Sequence, residues 1–361
     1  MIINSNSSTI FSSIWLPVFF YVEPLDQQVI ISILELMIYL VCIHLVNVSL
    51  HVALKIRLFH RNLYILALPM FGMWYELIIG KFITIAYRLK LLGLDFELGE
   101  HTAIWTNDPG KVLLVASLNG LELLIFGGFL QWHYMYSWIF GVLTVAVERV
   151  IASVLIENYE SNTQNLMPAI LLIISQFLSI SMAFGLLFQK VGPLSAHFPW
   201  MISCPISVAV SKILEKFSNM KLVQAYVFVK KVNESFRREI KNPGRKRIFT
   251  LSQQFQVKEN LRVLHLGTRL VFAVLSFIGI CGCGIAALHY KIVPSYYCHL
   301  IENVLFLNPF LIGLTAMLSI PQWKEQFMKS FLTVRLFRNR RKPVHIVVEI
   351  EECAKKKNDV E

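Results

Sequence analysis

The chain has 361 residues, 55% of them hydrophobic and 16% charged, with a mean hydropathy of +0.57. That balance excludes a water-soluble globular domain, which could not cover so much apolar surface. The formal net charge of +11 does not point to nucleic acid, because most Lys and Arg residues lie between apolar blocks, where anionic lipid or a cytoplasmic partner is the counterpart.

Residues 1–28 have no basic leading segment and are broken by Pro17 and Pro24, so they read as an extracellular N-terminus and not as a signal peptide. Asn6-Ser7-Ser8 within them is a glycosylation sequon. The first apolar block, residues 29–54, reaches roughly 39 Å as a helix at about 1.5 Å per residue, enough to cross a bilayer with some tilt. A short basic turn leads to a second span over residues 62–87, interrupted by Glu76 and Lys81. After a polar stretch an apolar lead-in from Val112 precedes a long third helix over residues 119–150. The fourth span, 167–188, opens at Pro168, where a missing N–H costs nothing in a first helical turn. Residues 199–230 are expected as one long fifth helix protruding into the cytoplasm, 262–289 as the sixth, and 299–320, with Asn308 and Pro309, as the seventh. Beyond Pro321, Trp323, Phe327 and Phe331 recur at i, i+4 and i+8, which predicts an amphipathic helix over 321–338 lying on the inner leaflet. Residues 339–361 form a basic cytoplasmic tail.

The expected fold class is therefore an all-α membrane protein, a seven-transmembrane helix bundle in a rhodopsin-like arrangement with its N-terminus outside. Basic residues are retained on the cytoplasmic side. With this topology the inner connectors hold 24 of them: three around Lys55, Arg149, ten from Lys230 to Arg262 and ten after Ile320. The outer connectors hold five, namely Arg88, Lys90, Lys111, Lys190 and Lys291.

Entering the sixth span, the chain runs Phe249-Thr250-Leu251-Ser252-Gln253-Gln254-Phe255-Gln256-Val257-Lys258-Glu259-Asn260-Leu261-Arg262. This resembles the signature of the nematode serpentine receptors of class epsilon, which commonly read YTLSxRFQVKENIRxLxL here, with Gln254 in place of a basic residue and Phe249 in place of Tyr. Glu148-Arg149 and Pro321-Gln322-Trp323 also look like that family, so the resemblance covers nearly the whole chain. It implies a plasma-membrane chemosensory receptor of sensory neurons that binds a small-molecule ligand and signals through a heterotrimeric G protein.

Glu148-Arg149-Val150, at the inner end of the third span, is similar to the acid-Arg-Tyr triplet of rhodopsin-like receptors. The acid can hold the guanidinium until a helix shift frees it; the plain alternative is an interfacial Arg reaching to water. Lys258, Glu259 and Arg262 lie at the facing entry to the sixth span. With Glu148 and Arg149 they make up the expected coupling set. Asn308-Pro309 resembles the Asn-Pro of the same receptors, and Asn47 is expected to share its polar interior; each Asn can equally serve as glue between helices. A ligand pocket is expected around Gln131, Trp132, Met135 and Tyr136, because Gln131 lies roughly 26 Å from Glu148 at about 1.5 Å per residue. Aromatic walls with few polar groups suit a small, largely apolar ligand, although such residues also pack against neighbours or mark the interface. Glu35, Glu76, Lys81 and Glu122 are expected to face the bundle or pair, with Glu76–Lys81 one candidate. No metal or cofactor motif and no catalytic constellation is legible, and the seventh span lacks a Lys for a retinal Schiff base. The alternative function is a seven-helix ligand-gated channel subunit or transporter.

Overall fold

A computed structural model describes residues 2–5, 13–17, 25–59, 61–92, 112–115, 118–154, 166–192 and 297–332, with scattered positions between 195 and 293. In chain order the described elements are β1 (Ile2–Ser5), β2 (Ser13–Trp15), α1 (Leu25–Lys55), α2 (Arg61–Arg88), β3 (Leu113–Val115), α3 (Glu122–Val154) and α4 (Leu166–Leu187). They are followed by α5 (Tyr297–Phe306), α6 (Asn308–Ser319) and α7 (Pro321–Leu332). Among the described residues three helices are long and apolar enough to cross a membrane: α1, α2 and α4. Their outward faces carry Ile30, Ile33, Leu34 and Met37 on α1 and Ile173, Ile174 and Phe177 on α4, all well exposed, a surface that lipid covers and water would not tolerate.

Helices α1 to α4 occupy the stretches expected as the first four spans, with ends that differ by a few residues. The seventh expected span differs. Pro309 cannot donate to the helical ladder and its ring crowds the carbonyl four residues back, so the chain breaks at Leu307 and restarts with Pro309 in the first turn of α6. The fifth expected span lies outside the described residues apart from Pro199, and every described position between 262 and 287 is helical. The tail after Leu332 lies outside the described residues.

The chain is not wholly helical. The short strands form one sheet in the order β2-β1-β3: β1 pairs antiparallel with β2, Ile2 opposite Trp15, and parallel with β3, Ile3 opposite Leu113. The apolar lead-in expected before the third helix is thus a strand. The sheet buries Ile3, Ile14, Leu16 and Leu113 with Tyr87, Leu124, Trp132 and Leu186 at one end of the bundle. At the opposite end α7 turns its apolar face inward, burying Trp323 and Phe327 with Val52, Leu63 and Met317 while Lys324 stays exposed. Trp323 Nε1 donates to Ile56 O at 3.1 Å, and its ring meets Phe59 edge-on. Lys329 Nζ donates to Glu325 Oε1 at 2.5 Å on the outer face, and this bond holds the exposed Glu325 carboxyl below its ordinary pKa.

Helices α2 and α3 approach closely because glycines face each other. A Cβ on Gly80 would stand 2.9 Å from Gly127 O, and one on Gly127 would stand 3.1 Å from Ile83 Cγ2. Small residues let membrane helices bring their backbones together in this way, where dispersion and polar contacts replace the hydrophobic effect.

Candidate functional site

Several buried polar side chains of the bundle lie on α1, α2 and α3. Glu35 of α1 and Lys81 and Arg88 of α2 are buried together. Arg88 Nη1 donates to Glu35 Oε2 at 2.9 Å, and Lys81 Nζ lies 3.8 Å from Glu35 Oε1 and 4.2 Å from the centre of the Phe306 ring. A charge in so apolar a setting persists only when paired, and here a cation also meets an aromatic face on α5. The cluster ties the first two helices to the seventh expected span.

On the α2–α3 seam, Gln131 Nε2 donates to Thr84 Oγ1 at 2.9 Å and to Gly80 O at 3.3 Å, while Thr84 Oγ1 donates to Gly80 O at 2.8 Å. One turn deeper His133 Nδ1 lies 2.8 Å from Glu76 Oε1, its Nε2 lies 3.3 Å from Ser137 Oγ, and its ring stacks on Phe129. Below them Trp74 sits between Tyr39 and Tyr134, with ring centres 6.0 and 6.2 Å away. Both tyrosines reach across: Tyr39 Oη donates to Asn303 Oδ1 at 3.0 Å and Tyr134 Oη to Asn308 Oδ1 at 2.5 Å. Helices α1 and α3 are thereby bonded to either side of the break at Leu307, with Trp74 of α2 packed between the two tyrosines. Among the described residues this interior offers no cluster of metal ligands.

A family model described as the Sre G protein-coupled chemoreceptor matches residues 1–361. The chain is 96% identical over 361 residues to serpentine receptor class epsilon-33 of Caenorhabditis elegans, covering 100% of this chain and 96% of that protein. It is 56% identical to serpentine receptor class epsilon-29 over 358 residues and 53% identical to class epsilon-32 over 349, both from the same organism, covering 99% and 96% of this chain and 95% and 92% of those proteins. The chain belongs to the Sre family of G protein-coupled chemoreceptors. This is a receptor family and not an enzyme family, and it gives no support to the channel or transporter alternative.

In this Sre receptor the four expected pocket residues share α3 but not one wall. Trp132 and Tyr136 are buried against the sheet, Trp132 Nε1 donating to Trp15 O at 3.0 Å with the two indoles 4.8 Å apart. Gln131 turns instead to α2, and Met135 lies between the sheet-end cluster and the aromatic layer around Trp74. Asn308 and Pro309 start α6 in the interior as expected. Asn47 does not join them. It faces outward on α1 and accepts a bond from the Tyr75 hydroxyl, because the inward positions of that turn belong to Leu45, Val46 and Ser49. Nor does Glu76 pair with Lys81: five residues apart on α2 they point to different neighbours, Glu76 to His133 and Lys81 to Glu35. Arg88, counted in a connector from the sequence, is the last residue of α2 and is buried.

Glu148 is fully buried near the C-terminal end of α3, and Arg262 is helical and half-buried. The side chain of Arg149 and the residues Lys258, Glu259 and Asn6 lie outside the described residues. The sequence reading missed the partners Arg88, His133, Tyr39 and Tyr134. Charged residues inside apolar spans were its signal for Glu35 and Lys81, but nothing in one helix names a partner on another.

Proposed function

We propose that this receptor detects a small, largely apolar molecule arriving from outside the cell and reports it to a heterotrimeric G protein. The observation that carries the reading is the match to the chemoreceptor family along the entire chain. The sheet end is the extracellular end, seven helices cross the plasma membrane of a sensory neuron, and α7 lies along the inner leaflet. The distribution of 24 basic residues in the inner connectors against five in the outer ones, four once Arg88 is assigned to α2, supports that orientation.

The ligand enters beneath the sheet, where Gln131, Trp132, Met135 and Tyr136 line α3 and the buried Glu35, Lys81 and Arg88 stand on the facing helices. Binding shifts the α5–α6 break through the Tyr39–Asn303 and Tyr134–Asn308 bonds. Asn308 and Pro309 act in that switch, and Asn47 steadies α1 on α2. Coupling runs through Glu148, Arg149, Lys258, Glu259 and Arg262 at the opposite end, and Asn6 carries a glycan. The test is a panel of volatile and water-soluble small molecules applied to cells expressing the chain with a second-messenger reporter. A response that needs both this chain and a G protein supports the reading. Ligand-gated current in a bilayer containing the purified chain alone would overturn it.

A further inference from the structure

Helices α1, α2, α3 and α6 enclose a cavity of about 10 Å³ directly beside Pro309. Its lining is mostly aliphatic and aromatic, yet three polar groups belong to it. Ser49 of α1 and Trp74 of α2 line it and are fully buried, and Trp138 of α3 lines it as well. Ser49 Oγ, Trp74 Nε1 and Trp138 Nε1 are buried atoms with no hydrogen-bond partner among the described residues. A buried polar group left without a partner is destabilising, so three at one cavity call for an occupant. Gly313 of α6 keeps the space open, since a Cβ there would stand 3.7 Å from Ser49 Oγ and 3.1 Å from Leu45 Cδ2.

We propose that this cavity binds one water molecule, which accepts from Trp74 Nε1 and bonds Ser49 Oγ, joining α1 to α2 against the start of α6. Size and chemistry both select water. The volume suits a single water, which needs at least about 10–15 Å³ by that measure and two to four polar partners. An indole N–H only donates, so the occupant must accept; a cation would meet one hydroxyl oxygen and two repelling indole N–H groups, with no carboxylate in the lining. A water bond re-forms as helices slide past one another, so the site is an adjustable joint at the α5–α6 break. It is separate from the ligand region proposed beneath the sheet.

The test uses the full-length receptor in lipid nanodiscs. X-ray radiolysis generates hydroxyl radicals from bound water, and mass spectrometry reads oxidation at neighbouring side chains. Trp74 is expected to be labelled although it is buried, and Gly313→Ala, which fills the space, is expected to lower that labelling severalfold. Ser49→Ala is expected to melt below the wild type, because it removes a bonded hydroxyl; were the hydroxyl unbonded, its removal would leave stability equal or higher. Unlabelled Trp74 in the wild type, or a Ser49→Ala receptor that melts at or above it, overturns the proposal. Should Gly313→Ala fail to fold, those two readouts decide it.

Discussion

The Tyr134 hydroxyl donates to Asn308 Oδ1 across 2.5 Å, from the middle of α3 to the first residue of α6. Asn308 stands immediately after the break at Leu307, so this bond fixes how α6 leaves that break. Tyr134→Phe removes the donor with almost no change in shape and leaves the amide oxygen without it. Bonds between membrane helices contribute about 0.6 kcal/mol on average, and an unmet buried group can cost up to about 3 kcal/mol. The variant is expected to melt lower in detergent and to show raised basal nucleotide exchange. Unchanged melting and exchange would mean that the bond neither stabilises the break nor restrains it.

Glu35 and Arg88 give a second expectation, from a buried ion pair 2.9 Å long. Glu35→Ala leaves the Arg88 and Lys81 charges without that carboxylate, a loss of about 3–5 kcal/mol for a buried pair broken on one side. Reduced surface expression and a much lower melting temperature are expected. Glu35→Ala with Arg88→Ala is expected to cost less than the two single changes added, since residues in contact are not additive. Strict additivity in a melting cycle would show that they do not stabilise each other.

Why these partners escaped the sequence is clearest from Glu35. The hydropathy of α1 marks it as a charge inside a membrane helix, and so as a group needing company, but Arg88 sits at the end of α2 where composition reads as a connector. Span positions are legible because each depends on a local apolar run of fixed length. Rotation about the helix axis is less so: Asn47 and Ser49 are both polar residues in the same apolar run, and only packing against α2 and α6 turns Ser49 inward and Asn47 out. The strands were hidden for a different reason, since three or four residues carry no period and the β1–β3 pairing joins segments more than a hundred positions apart.

Gly80 sets the spacing of α2 and α3. Gly80→Ala brings a methyl within 2.9 Å of a backbone oxygen on Gly127, which cannot swing aside, and overpacking of this kind costs about 1–3 kcal/mol. A Cβ on Gly128 would approach Leu16 Cδ2 at 2.4 Å, but that is the end of a side chain and can move. Thermal melting is therefore expected to fall more for Gly80→Ala than for Gly128→Ala, while Gly128→Ala is expected to speed proteolysis of the segment around Leu16. The reverse order of melting would place the close helix contact elsewhere.

Topology can be read with tags. An epitope before Asn4 is expected to stain on intact cells and one after Glu361 only after permeabilisation. The basis is the basic asymmetry of the connectors. A C-terminal tag accessible on intact cells would reverse the assignment of the sheet end to the outside.

The last expectation concerns the opposite end of α3. Glu148 is fully buried there beside Arg149 in sequence, and Arg262 is half-buried on the sixth expected span. The proposed coupling set would form a cleft held closed by an ion pair of Arg149 with Glu148 or Glu259 and opened by a helix shift. A pair of Arg149 with Glu259 open to water would contribute only about 0–1 kcal/mol, which a latch needs if it is to release, whereas one with the buried Glu148 would hold more tightly; about 1.4 kcal/mol is already tenfold in a two-state equilibrium. Arg149→Ala is expected to reach the surface and bind agonist but fail to promote nucleotide exchange, and Glu259→Ala to raise basal exchange. Glu148→Gln separates two roles for the buried acid: if it restrains Arg149, basal exchange rises with agonist affinity, whereas if it only supports packing, melting falls and exchange at matched expression does not change. Wild-type signalling by Arg149→Ala at equal surface density would return Arg149 to an interfacial side chain reaching for water, and coupling would have to be sought on other residues.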